Sequence, residues 1–285
     1  MRSLDYMNRV EAYVNRLNSE RRTVLETIQQ VRFLGLMADE INCADMTADC
    51  EEDENKKYGV APNLDAVHTR GYAKRSLVLD DCSSWPVFSC TDTWGGPDYH
   101  GIFAFSVTIT EEMKGRIIGF SLDTGADDIW NTDNPQIMVY VNAMDLNHHE
   151  VILSDCAEPG KIYDIRLYAY VNSPGKSNFL YLKVFAKEQE AEALYYDMKL
   201  PLEAAKQMRP EEEKRRKFLE LLNQAGDLLD LRVKKSDKYR ASLIAASKWL
   251  KENLYEKEWE LDGPTVYALG HTHIDVAWKW PLRQT

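Results

Sequence analysis

The apolar residues of this chain change period twice, from helical to two and back again, and that alternation constrains the fold more than any other feature. From about Ser76 to Lys187 the repeat is two residues. Side chains of a strand point alternately to opposite faces, so this period marks half-buried extended segments. Within Gly101–Ile109 it places Phe103, Phe105, Val107 and Ile109 on one face. Within Ile162–Val171 it sets Tyr163, Ile165, Leu167, Ala169 and Val171 against Asp164 and Arg166. Leu180, Leu182, Val184 and Ala186 oppose Tyr181, Lys183 and Phe185 in the same way. Shorter pieces at Arg116–Leu122, Gln136–Asn142 and His149–Leu153 lie between turn-rich stretches such as Trp94-Gly95-Gly96-Pro97-Asp98 and Ser173-Pro174-Gly175. About six or seven short strands with turns at this spacing predict an antiparallel β-sandwich. No helical pattern interleaves them, which disfavours a parallel sheet.

Helical periods flank this region. Leu4, Met7, Val10, Tyr13, Val14 and Leu17 recur at three- and four-residue spacing. Asn18-Ser19 then reads as a break, with Ser19 capping a second helix through Val24-Leu25. Past Pro201 the helical period returns: Pro210 with Glu211, Glu212 and Glu213 opens one helix, and Ser236-Asp237 opens another through Leu243, Ala246, Trp249, Leu250 and Leu254. Gly263-Pro264 turns into the apolar run Val266–Leu269. The expected organisation is therefore α+β and multi-part. It has a helical and irregular segment over 1–75, a β-sandwich over 76–200, a helical connector over 201–262, and over 263–285 the first strand of an α/β barrel.

Composition narrows the function classes. The formal net charge of −11 repels nucleic-acid phosphates, so no nucleic-acid partner is expected. No run approaches the roughly 18 apolar residues of a membrane span, and the polar start Met1–Val10 lacks the apolar core of a secretory signal. Cys43, Cys50, Cys82, Cys90 and Cys156 contain no C-x-x-C pair and read as reduced thiols of a cytoplasmic protein. The acidic run Asp49–Glu54 matches no EF-hand spacing and reads as a solvated loop.

The chemistry concentrates in Tyr267–Thr285. His271, His273 and Asp275 stand at alternate positions of a strand-like run, about 6–7 Å apart from one to the next, so all three share a face. Histidine nitrogen and carboxylate oxygen are zinc donors, and working residues of α/β barrels sit at the C-terminal ends of strands. An extended strand cannot bring three such ligands to one ion without bending, so two ligands from here joined by others from elsewhere is the expected geometry. From spacing alone the pattern also suits metal-dependent amide or ester hydrolysis.

Gly270-His271-Thr272-His273-Ile274-Asp275-Val276-Ala277-Trp278, followed by Trp280-Pro281-Leu282-Arg283, resembles the opening motif of glycoside hydrolase family 38, the α-mannosidases, in the form of its cytosolic and bacterial-type branch. Lys279 and Gln284 depart from that branch, as does Ala143 in the looser match of Val139–Asp145 to its accessory region. The resemblance implies that His273 and Asp275 are zinc ligands, that Trp278 lines the mannose site, and that His271 is not a ligand. It further implies a zinc-dependent retaining mechanism with an aspartate nucleophile. That nucleophile, the general acid and the remaining ligands would follow residue 285, so this chain carries no catalytic residue of its own. The sandwich would then be a jelly-roll or galactose-binding-like accessory domain. The expected ligand of the whole enzyme is an α-mannoside or mannose-containing oligosaccharide, with self-association left open. The chain alone is expected to be inactive and to hold Zn²⁺ weakly.

The sandwich offers sites of its own. Trp85, Trp94, Trp130 and Tyr99 stand in turn-like settings where a ring could stack on a sugar, and Asp123, Asp127, Asp128 and Asp133 flank Trp130. His148-His149 follows Asn147. The ordinary reading of each, a core aromatic or a solvated loop, is preferred. A carbohydrate-binding sandwich module is the main competing function, and the N-terminal part of a metal-dependent amidohydrolase is the other.

Overall fold

The computed structural model describes residues 2–37, 78–97, 99–125, 135–142, 144–146, 150–171, 177–210 and 212–257. The chain divides into two compact units, Met1–Thr23 with Ala186–Ala268, and Val24–Phe185 with Leu269–Thr285. The elements are helical in the first and extended in the second, an α+β architecture.

Among the described residues ten strands, lying mainly in the second unit, form two sheets. They are β1 (Arg22–Ile28), β2 (Gln30–Met37), β3 (Val87–Ser89), β4 (Tyr99–Thr108), β5 (Ile118–Asp123), β6 (Gln136–Val141), β7 (Met144–Leu146), β8 (Glu150–Ser154), β9 (Ile162–Val171) and β10 (Tyr181–Lys187). One sheet has the order β1-β10-β5-β8 and the other β3-β2-β4-β9-β6-β7. The strands expected from the period of two are all present, each within a few residues of its expected limits. β4 and β9 pair antiparallel along their whole length, from Tyr99↔Val171 to Thr108↔Ile162. That register puts Phe105 opposite Ile165 and Phe103 opposite Leu167. The Phe105 ring meets Phe120 of β5 edge-on at 5.6 Å, so this face looks toward the four-stranded sheet. Phe103 also gathers Phe33, Phe88 and Trp94, with centroids at 4.7, 5.4 and 5.3 Å. Each such aromatic pair adds roughly 0.5–1.5 kcal/mol beyond the area it buries.

The opposite face of the larger sheet is apolar too. Leu34 pairs with Ile102, Ile102 with Tyr168, and Tyr168 with Met138 across successive strands. Val78, Leu79, Cys82 and Trp85 pack over these residues, and Arg32 Nη1 donates to the Trp85 carbonyl at 3.0 Å. The period of two sets Asp164 and Arg166 on the face opposite Ile165 and Leu167, and Arg166 is not exposed on that face. It is buried there instead, paired to Asp164 at 2.6 Å.

In the first unit α1 (Arg2–Glu20) packs against α2 (Gln189–Gln207) and α3 (Glu213–Asp227), α4 (Asp237–Leu250) packs against α2 and α3, and a π-helical turn (Lys251–Tyr255) extends α4. Val10, Val14 and Leu17 of α1 share one core with Leu194, Met198 and Leu202 of α2, Leu219 and Leu222 of α3, and Leu243, Ala246 and Leu250 of α4. Burying a side chain of this size stabilises by roughly 1.5–3 kcal/mol, and this core is what holds helices of modest propensity together. Asp227 accepts from Arg9 at 2.7 Å and from the Tyr13 hydroxyl at 2.8 Å. Gly226 admits the Tyr13 ring, which would lie 2.1 Å from a Cβ at that position.

Two expectations are corrected. Residues 22–37 form β1 and β2, not a second N-terminal helix. The run Arg22–Ile28 carries the β-branched residues Thr23, Val24, Thr27 and Ile28, which favour strand, and Val31 is buried in the larger sheet. A helix also begins at Gln189, well before Pro201, where the sandwich was expected to run on. Its apolar residues Ala191, Leu194, Tyr195 and Met198 already have helical spacing, and the interior Pro201 masked them.

Glu192, in the first turn of α2, is 13% exposed and lies 2.7 Å from Arg22 Nη2 and 3.6 Å from Arg21 Nη1, with Lys187 paired to it as well. Burial pushes its carboxyl up, but the hydrogen bonds from Lys187 and Arg22 outweigh that and hold it below its ordinary value of 4.5. A carboxylate depressed in the fold contributes stability that is present above its unfolded pKa and is lost as pH falls through the folded one. Glu192→Gln should therefore lower the melting temperature at pH 7 and weaken its fall below about pH 4.5. Melting curves at stepped pH with an unchanged acid limb would reject this role. In β5, a Cβ on Gly119 would lie 2.6 Å from the Val151 carbonyl oxygen and 2.9 Å from the Phe185 ring. Because the nearest obstacle is backbone, Gly119→Ala should cost about 1–3 kcal/mol in urea denaturation.

Candidate functional site

The sequence-predicted ligands His273 and Asp275, the aromatic Trp278, and His271 beside them all lie outside the described residues. So do Trp130, Asp127, Asp128, Asp133, His148 and His149. Among the described residues no group of three or more His, Cys, Asp or Glu side chains is placed to hold a metal ion. No helix among them is long and apolar enough to cross a membrane.

The remaining sandwich candidates are structural. Trp94 is buried against Phe103, and its indole Nε1 donates to the Phe179 carbonyl at 3.1 Å. Trp85 is buried over the larger sheet. Tyr99 pairs with Met37 and Val171 in the ladder. Asp123 spends an oxygen on the Gly125 N–H at 2.7 Å, closing a turn.

The feature with the chemistry of a site lies in the helical unit, and it begins with Pro201. Proline has no N–H, so the carbonyl of the residue four positions earlier loses its helical donor. That carbonyl belongs to Asp197, and the Tyr255 hydroxyl from the π-helical turn donates to it at 2.8 Å. Burial, then the Asp197 charge, pushes the Tyr255 phenol up to about 12, so it keeps its proton throughout the physiological range. The Asp197 side chain is fixed as well, accepting from Ser247 Oγ of α4 at 2.7 Å. One residue thus receives a main-chain and a side-chain hydrogen bond from across the helix pair.

Around it opens a cleft of about 360 Å³ lined by Tyr196, Asp197, Leu200, Ser247, Lys251 and Tyr255. Tyr196, Leu200 and Tyr255 are 45%, 63% and 51% exposed. Tyr196 is itself held, with its hydroxyl accepting from Arg21 Nη1 at 3.3 Å. Lys251 pairs with Glu256 at 3.5 Å. The cleft presents two ring systems, a carboxylate, an ammonium and a hydroxyl on a frame of cross-helix bonds. Sequence reading missed it because Pro201 was taken as a helix boundary.

No known family model matches the sequence. Over 103 residues, 36% of this chain, it is 28% identical to alpha-mannosidase 2C1 of Mus musculus, and the match spans 9% of the mouse protein's length. Part of the chain is therefore related in sequence to a glycosidase. Solved structures with some likeness include a glycosyl hydrolase family 2 member from Bacteroides cellulosilyticus DSM 14838, at 13% identity and a TM-score of 0.31, covering 57% of this chain and 20% of that one. Another is the beta-glucuronidase of Ruminococcus gnavus, at 12% identity and a TM-score of 0.30, covering 59% of this chain and 29% of that one.

The Pro201–Asp197–Tyr255 arrangement makes a measurable claim. Tyr255→Phe should cost about 0.5–1.5 kcal/mol, the usual net worth of one hydrogen bond. In a Pro201→Ala background the new N–H can serve the Asp197 carbonyl, so the same substitution should cost much less. A double-mutant cycle by urea denaturation measures the difference, and an equal cost in both backgrounds would reject the arrangement.

Proposed function

We propose that this chain is the N-terminal accessory region of a zinc-dependent retaining α-mannosidase, ending just inside the catalytic barrel. The reading is carried by the segment Gly270–Arg283, whose His-Thr-His-Ile-Asp-Val-Ala-Trp run resembles the family 38 opening motif. The 28% identity to the mouse mannosidase over 103 residues is consistent with this reading. In this reading the two sheets are a jelly-roll or galactose-binding-like accessory domain, and residues 263–285 begin an α/β barrel.

The donor chemistry fits the metal: His273 offers an imidazole nitrogen and Asp275 a carboxylate oxygen, two of the ligand types zinc prefers. Zinc bound there would supply charge stabilisation at a sugar hydroxyl. Trp278 would offer an apolar ring to the mannose. The nucleophile, the general acid and the other ligands would come from later barrel strands. The chain by itself then hydrolyses no mannoside, and a cytoplasmic location accompanies the reading as an expectation from its free thiols.

Two measurements test this. The 285-residue chain should bind Zn²⁺ only weakly in a calorimetric titration, and both His273→Ala and Asp275→Ala should remove what binding there is. A longer polypeptide carrying the remaining barrel should release nitrophenol from p-nitrophenyl α-mannoside, and Asp275→Asn should reduce that rate by at least about a hundredfold. Turnover by the 285-residue chain alone, or turnover in the longer protein indifferent to Asp275→Asn, would overturn the proposal.

A further inference from the structure

We draw no further inference here: the strongest candidate, the exposed groove between α2 and α4 lined by Tyr196, Leu200 and Tyr255, has its polar groups bonded within the helical unit, and nothing in the structure shows what covers it.

Discussion

The β4–β9 ladder is the constraint from which the sheet unit follows. Ten consecutive residue pairs, Tyr99↔Val171 to Thr108↔Ile162, lock the two longest strands in one register. A slip of one residue would send every side chain to the opposite face. Here that slip is penalised on both sides at once. Phe103, Phe105 and Val107 are buried on one face, and Ile102 and Ala104 on the other. The outer strands inherit their registers from this pair, β2 through Leu34↔Ile102 and β6 through Val139↔Leu167. A sheet apolar on both faces needs cover on both. The smaller sheet supplies one side through Phe120, and the segment Val78–Trp85 supplies part of the other.

The helical unit solves a different problem, since helices in a protein draw most of their stability from packing an amphipathic face. Its core draws on all four helices, so α1, at the start of the chain, depends on residues nearly two hundred positions later. The ionic group around Glu192 lies at the point where that dependence is local. Arg21 and Arg22 follow α1 directly, Lys187 precedes α2, and Glu192 in the first turn of α2 meets all three. A carboxylate in that turn also complements the helix dipole, so one side chain satisfies two electrostatic demands. Three cations around one acid would otherwise repel one another, which makes Glu192 the member whose loss matters most.

The strands from 99 to 187 were legible in the sequence because each has a face whose burial enforces the period of two, as Leu182 and Val184 against Lys183 show. The helices after residue 212 were legible from heptad-like spacing and from Ser236, whose Oγ caps α4 by accepting from the Tyr239 N–H at 3.2 Å. What escaped reading did so for identifiable reasons. Arg22–Met37 mixes strand formers with the charges Arg22, Glu26 and Arg32, so its period is weak, and its pairing partners lie far away in sequence. The helix over 189–207 was hidden by an interior proline that tertiary contacts tolerate. The burial of Arg166 was not legible because a period of two records alternation and says nothing of a second layer above the sheet. The candidate cleft joins one such hidden element, the proline-bearing helix, to a turn whose Tyr255 lies 58 positions after Asp197, and no local pattern links them.

That dependence separates the cleft from the terminal motif. The His273–Asp275 segment is a local pattern, readable because its residue types and spacing are themselves the signal. The α2–α4 cleft is a product of packing. Pro201 removes a donor, the freed Asp197 carbonyl draws in Tyr255, and a helix-terminal turn is thereby set beside Tyr196 and Leu200. A proline inside a helix costs roughly 3 kcal/mol, and a hydroxyl that satisfies the orphaned carbonyl offsets only about 0.5–1.5 of it. The remainder has to be met by burial of the apolar side of α2 in the four-helix core, where Pro201 itself is buried beside Leu202. The core can therefore carry an element that local propensity would reject, and the consequence of carrying it is a fixed group of ring, carboxylate and hydroxyl at the surface. The same packing that makes α2 hard to read in sequence is what gives its exposed side a definite shape.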